Sequence, residues 1–363
     1  MKKMVLYIFL FFYLIPSLSA IDVKLLRKFT LAQDEKNFLI RPGSFFVTED
    51  SMIFVIDCRS QNIKIFDADG KLVNVFGRKG LGPNEFITPF YSAYQKPFLV
   101  ISDFGRRRYF IYSRQGKSSL ELKQTCLNQD MPRDIAITTD GKLLLAGNKM
   151  DKDGKWQNLY IYDCENSRSD FLLNHAMSYG YRSENDFQKK FYDELEYIGS
   201  DQCIDLVGDT IYQAWSGDIK INRIDIKTRK VTSFGKRTEN YVPPYATPEL
   251  KQAHLEKKAD FILSTRSKMS YVMDLFIINS KTVALAYVGP LKKNNGINVM
   301  LQFYTVTGEF IKEVELLLNS KAGTSYELFF YFKKDENLYY VIETETSEKY
   351  DQVFNVYEYR ITE

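Results

Sequence analysis

Short runs of β-forming residues, separated by polar turns, return six times along the chain. The first copy is the clearest: Met52–Asp57 (MIFVID), a turn at Cys58–Asn62, Ile63–Asp67 (IKIFD), a turn at Ala68–Gly70, and Lys71–Gly77 (KLVNVFG). Aligned on the residue that ends the third strand of each unit, the copies fall at Phe66, Tyr112, Tyr162, Ile224, Tyr304 and Tyr359. A small sheet of this kind cannot bury both of its faces alone, so repetition at this spacing predicts sheets stacked around a common axis. Unequal spacing fits that arrangement, because each sheet touches only its neighbours and extra residues leave through loops.

Strand bookkeeping gives the architecture. Each unit has an innermost candidate upstream: Ser44–Val47, Tyr91–Tyr94, Asp134–Thr138, Cys203–Val207, Val272–Ile278 and Glu327–Phe332. Outermost strands follow the first five units but not the sixth, where the chain stops at Glu363, while Val23–Leu31 (VKLLRKFTL) lies spare at the other end. Pairing that segment with Asn355–Ile361 closes the ring and removes an open sheet edge. The expected fold is therefore all-β, a six-bladed propeller over 21–363, with blades near 44–77, 90–123, 134–174, 203–235, 271–317 and 326–363 and closing strand 23–31. Two long gaps carry helical signals. Phe187, Phe191, Leu195 and Ile198 share one helix face within Asp186–Ile198, and Thr247–Pro248 reads as a cap and first turn ahead of Leu255, Ala259 and Ile262.

Composition agrees: 27 Phe and 25 Tyr suit pleated, half-buried surfaces. Residues 1–20 read as a secretory signal, with Lys2 and Lys3, an apolar run Met4–Ile15, Pro16 and small residues up to Ala20. No cysteine near that point offers a lipid anchor, and no later apolar run is long enough to cross a bilayer. An exported, periplasmic or extracellular soluble monomer is expected. Loss of the two leader lysines takes the formal charge from +3 to +1, which gives no argument for nucleic acid. Cys58, Cys126, Cys164 and Cys203 form no CxxC pair. Export permits disulfides, but a chain of this length does not need them, and most of the four read as small hydrophobes.

The segment Ile53–Phe86 (IFVIDCRSQNIKIFDADGKLVNVFGRKGLGPNEF) resembles the repeat of exported bacterial six-bladed propellers related to the NHL-repeat and TolB-like group. It shows the strand, the aspartate-containing turn, the D-x-x-G turn and the closing F-G-x-x-G-x-G-P-x-E-F, with Asn84 where glycine is common. The likeness is good over the first two blades and architectural beyond them. It implies a protein that binds proteins, glycans or nucleic acids, with lyases and lactonases among the relatives.

Candidate chemistry is sparse. Gly77–Phe86 (GRKGLGPNEF) lacks the Lys-Ser/Thr ending and following helix of a phosphate loop, so its glycines read as turn residues. Asp57 and Asp103 occupy equivalent strand ends, with Asn148 as a possible third member. A ring of such oxygens binds calcium in lactonase-type propellers, whereas in a purely structural role each side chain caps its own turn. Arg106, Arg107 and Arg108 sit where Arg59 sits one blade earlier, near Arg78 and Lys79. This basic cluster suits an anionic glycan or an acidic segment of an envelope protein, or else forms a solvated, salt-bridged turn. Only His175 and His254 are present, too few for a three-histidine zinc centre. Trp156, Trp215 and the insert tyrosines Tyr179, Tyr181, Tyr241 and Tyr245 suit sugar stacking, though packing explains them as well. The sequence thus favours a non-enzymatic binding or scaffold module without a cofactor. A calcium-dependent lactonase or polysaccharide lyase is the alternative.

Overall fold

In the computed structural model, the described residues are 21–33, 37–127, 131–138, 140–153, 156–174, 201–291, 297–318, 327–346 and 352–363. They form six four-stranded antiparallel sheets around a central channel. The innermost strands of blades 1 to 6 are Pro42–Val47, Pro89–Gln95, Met131–Ile137, Gln202–Val207, Tyr271–Ile277 and Glu327–Lys333. Each touches the innermost strand of the next blade, and the sixth touches the first, so the ring closes.

Closure is made by the amino-terminal strand. Asp22–Thr30 pairs antiparallel with Gln352–Thr362, from Asp22 opposite Thr362 to Thr30 opposite Asn355, and completes blade 6. Its alternating half-buried and exposed positions mark a strand with one face against the protein. Ile53–Asp57, by contrast, is buried at every position, because neighbouring blades cover both faces of an inner strand.

The hydrophobic core is correspondingly divided. Among the described residues it forms six clusters, one at each blade-to-blade interface. Phe54, Ile56, Ile63 and Ile65 of blade 1, for example, meet Leu99, Ile101, Phe110 and Tyr112 of blade 2. Each wedge joins residues distant in sequence, so a blade acquires its core only by stacking.

Turn chemistry follows the repeat. Asp67 Oδ1 accepts the N–H groups of Asp69 (3.1 Å) and Lys71 (2.9 Å), and Gly70 completes that turn at φ +82°, where a side chain is strained. In the GRKGLGPNEF segment the short strands Arg78–Lys79 and Glu85–Phe86 pair in parallel, and Asn84 takes the left-handed conformation at φ +57°. Gly80 lies against the Glu85 side chain, whose carboxylate accepts the Gly82 N–H at 2.6 Å and pairs with Arg78 at 2.8 Å. The glycines therefore admit an internal carboxylate, as a turn and not as a phosphate cradle.

The helical expectations fare unequally. Asp186–Ile198 lies outside the described residues. The second insert holds two helices where one stripe is expected: α1 (Pro248–Leu255), capped by Thr247 Oγ1 accepting from Leu250 N at 3.1 Å, and α2 (Ala259–Arg266). The break at 256–258 leaves Leu255 69 % exposed, so Leu255 does not continue a buried stripe into α2. Two cysteines also depart from expectation. Cys126, on the outermost strand of blade 2, is disulfide-bonded to Cys164 in the turn after the third strand of blade 3. Cys203 is buried as a free thiol and Cys58 is half-buried.

Candidate functional site

Asp57 ends the second strand of blade 1 and is fully buried. Its carboxylate accepts the backbone N–H groups of Ile40, Arg41, Arg59 and Ser60, the Ser60 hydroxyl at 2.8 Å and the buried Lys64 ammonium at 2.7 Å. Burial alone would raise its pKa, but Lys64 and these N–H groups outweigh it and hold Asp57 below the ordinary carboxylate range. Asp103 repeats the device one blade later, accepting from Ile87 N (2.8 Å), Thr88 N (2.9 Å) and Arg106 N (3.0 Å). Both carboxylates tie the turn between strands two and three to the chain entering the same blade. Each carboxylate uses both of its oxygens to accept hydrogen bonds of this kind, as a turn cap does. The Asn148 side chain lies outside the described residues. Among the described residues, no group of three or more His, Cys, Asp or Glu side chains is placed to hold a metal ion.

The basic residues divide in the same way. Arg106 donates to the carbonyls of Gly82 (2.9 Å) and Glu85 (2.7 Å) and lies 4.8 Å above the Phe110 ring, so it clamps the GRKGLGPNEF turn to blade 2. Arg78 pairs with Glu85, and Arg108 is half-buried within its strand. Arg59, Lys79 and Arg107 are exposed, Arg107 at a left-handed φ of +50°. His254 lies on α1, while His175, Tyr179 and Tyr181 fall outside the described residues, as does the side chain of Trp156. Tyr241 is buried and packs edge-on against Tyr287, whereas Tyr245 is exposed.

The channel encloses a cavity of about 1810 Å³. Phe90 and Tyr91 line it and pack with Phe104, which belongs to the same turn as Arg106 and Arg107. The exposed arginines and the channel mouth thus share one face of the propeller. Arg133 also lines the channel and pairs with Asp201 at 3.6 Å. Deeper in the wall, three successive innermost strands each present an aspartate: Asp134, Asp205 and Asp274.

Their bonding differs. Asp134 accepts from Ile135 N and from Ile204 N of the next blade, both at 2.8 Å. Asp205 accepts from Leu206 N and from Ile277 N of the next blade, both at 2.8 Å, and from Lys334 Nζ at 2.7 Å. Asp274 accepts from Leu275 N at 2.8 Å through one oxygen. Its buried second oxygen makes no full hydrogen bond among the described residues, though the Tyr339 hydroxyl is near enough to influence its titration. Burial, reinforced by the charges of Asp274 and Asp205, pushes Asp134 up to about 7, and burial with the charge of Asp205 does the same for Asp274. Burial and the charges of Asp134, Asp274 and Asp201 raise the Cys203 thiol well above its usual range, leaving it a poor nucleophile. Ser216 is 5 % exposed and lines the channel, and its hydroxyl has no hydrogen-bond partner among the described residues.

Sequence reasoning passes over these channel groups because each is one polar residue inside an apolar run: RDIAI, CIDLV, VMDLF. The usable signal is a single aspartate within each of three successive innermost strands.

The repeat, the ring and its strand closure define a six-bladed β-propeller. The chain belongs to the DUF5128 family, described as a 6-bladed beta-propeller, whose model matches residues 30–236. Two solved structures from Bacteroides share the fold. One is a member of the DUF4221 family from Bacteroides vulgatus, 12 % identical with a TM-score of 0.61, over 94 % of this chain and 98 % of the other. The second, from Bacteroides fragilis and described as exported, is 13 % identical with a TM-score of 0.55, over 96 % and 98 %. None of the curated proteins matches the chain in sequence. Among the described residues no helix is long and apolar enough to cross a membrane.

Proposed function

We propose that the protein is an exported binding module that takes a glycan into the mouth of its channel. The observation that carries this reading is the cavity of about 1810 Å³, which combines aromatic walls at Phe90, Tyr91 and Tyr271 with hydrogen-bonding groups at Arg133, Asp134, Asp205 and Asp274. Rings that stack on sugar faces, beside carboxylates that accept sugar hydroxyls, are the two contacts a glycan requires. Exposed Arg59, Lys79 and Arg107 on the same face would meet acidic groups farther along the chain of sugars. Export accords with the leader-like residues 1–20 and with the Cys126–Cys164 disulfide, which requires an oxidising compartment.

A glycan array probed with the mature protein, Tyr91→Ala and Arg107→Ser tests the reading. Binding by the parent, lost in folded Tyr91→Ala and weakened for acidic glycans in Arg107→Ser, is expected. A blank array, or binding untouched by both changes, overturns it. A lyase or hydrolase acting on the same ligand is the second reading. It is favoured by Asp134 and Asp274, whose near-neutral titration suits general acid–base work, and product formation on any glycan bound would establish it.

A further inference from the structure

Four of the six innermost strands begin with a β-bulge. Gly43 has no cross-strand partner between Pro42, opposite Asp57, and Ser44, opposite Ile56. Phe90 and Tyr91 stand in the shift between Pro89, opposite Asp103, and Ser92. Arg133 falls between Pro132 and Asp134, and Met273 between Val272 and Asp274. Blades 4 and 6 pair their innermost strands without a shift. The extra residue of a bulge leaves the ladder, which re-aims its side chain. All five of these residues line the channel. Asp57 and Asp103 end second strands, just before the turns that carry Arg59 and Arg107, so the bulges form a collar at the channel mouth on that face.

Arg133 is the cation of this collar, and it is held unlike the arginines that organise the fold. Arg106 donates to two carbonyls at 2.9 and 2.7 Å, and Arg114 reaches both oxygens of Asp50 at 2.5 and 2.6 Å. Arg133 is 39 % exposed along its side chain, and its ion-pair partner Asp201, 69 % exposed, lies at 3.6 Å, beyond a hydrogen bond. A guanidinium in a cavity wall with so loose a partner keeps its fork of donors for a planar anion. The innermost strands of blades 2 and 3 touch, so the bulge adjoining that of Arg133 is the aromatic one, where the Phe90 and Tyr91 rings pack 4.8 Å apart.

We propose that the collar is a subsite for a uronic acid residue, whose carboxylate takes the place of Asp201 on Arg133. This deepens the glycan reading and rests on it. A uronate carboxylate is planar, offers two oxygens to the guanidinium fork and is bonded directly to the sugar ring, which the aromatic bulge can receive. Charge farther along the wall does not oppose it. Asp205 is engaged by Lys334, Asp134 and Asp274 are only partly ionised at neutral pH, and Arg59, Lys79 and Arg107 add positive charge on the same face.

Calorimetric titration of the full mature chain at pH 7 with trigalacturonate and with a hyaluronan tetrasaccharide, each beside its methyl ester, tests the assignment. At least one acid should bind the parent about tenfold or more tighter than its ester. Arg133→Gln should bring that ratio close to one. Arg133→Lys, which keeps the charge but not the fork, should lower it by about threefold or more, and serves as the test if the Gln variant does not fold. Asp201→Asn removes the competing carboxylate and should tighten the acid by about threefold, whereas a merely structural Arg133–Asp201 pair predicts no gain. A ratio near one in the parent, no gain in Asp201→Asn, or a ratio removed by Arg107→Ser but not by Arg133→Gln overturns the subsite and leaves the glycan reading intact. Absence of binding by both acids also overturns it, and a blank array then removes the glycan reading separately.

Discussion

Aspartates do opposite work at two depths of this propeller. At the loop-rich face of blades 1 and 2, Asp57 and Asp103 are saturated by backbone N–H groups, and Asp57 also by Lys64. In the channel wall of blades 3 to 5, Asp134 and Asp274 are crowded by like charge and carry fewer bonds. Satisfaction separates a carboxylate that organises the fold from one available to a ligand.

The largest test of this contrast is Asp57→Ala. It strips a buried ammonium of its partner and should cost about 3–5 kcal/mol in urea unfolding; a loss below about 1 kcal/mol would remove Asp57 from its structural role. The sign of its pH dependence follows from a lowered native pKa. Stability from Asp57 is present above the unfolded value near 4 and is lost as pH falls through the native one, so the penalty of the variant should shrink in acid. Next comes Asp103→Ala, which orphans the N–H groups of Ile87, Thr88 and Arg106 but leaves no buried charge. It should cost roughly 1–3 kcal/mol, and an effect as large as that of Asp57→Ala would show that Lys64 is not the source of the difference.

Asp274→Asn sharpens the comparison from the other side. A native pKa raised to about 7 means that ionisation destabilises the fold progressively between the unfolded value near 4 and pH 7, and fully above it. Removing the charge should raise the melting temperature by roughly 2–4 °C at pH 8 and leave it unchanged at pH 4. A drop at pH 8 would assign Asp274 to the structural class.

Much of the fold is legible in the sequence because its signals are local. The β-forming runs IFVID and IKIFD, the DADG turn and the unpaired VKLLRKFTL each report a strand, a turn or a missing partner within ten residues. The site is less legible because its determinants are not local. Arg106 reads as one more surface charge until the carbonyls of Gly82 and Glu85, over twenty residues upstream, are found to hold it. Asp134, Asp205 and Asp274 read as interruptions in apolar strands, and only the ring of innermost strands brings them onto one wall. Cys126 and Cys164 carry no spacing signal either, since the stacking of blade 2 on blade 3 makes them neighbours.

The most direct measurement is a carbon-13 NMR titration of the aspartate carboxyls, assigned by Asp57→Asn, Asp134→Asn and Asp274→Asn. Signals of Asp134 and Asp274 that move in the neutral range, around pH 7, while that of Asp57 remains ionised down to below pH 4, are the result expected. Channel carboxyls that titrate together with Asp57 in the acid range would contradict the division between fold-making and ligand-facing aspartates.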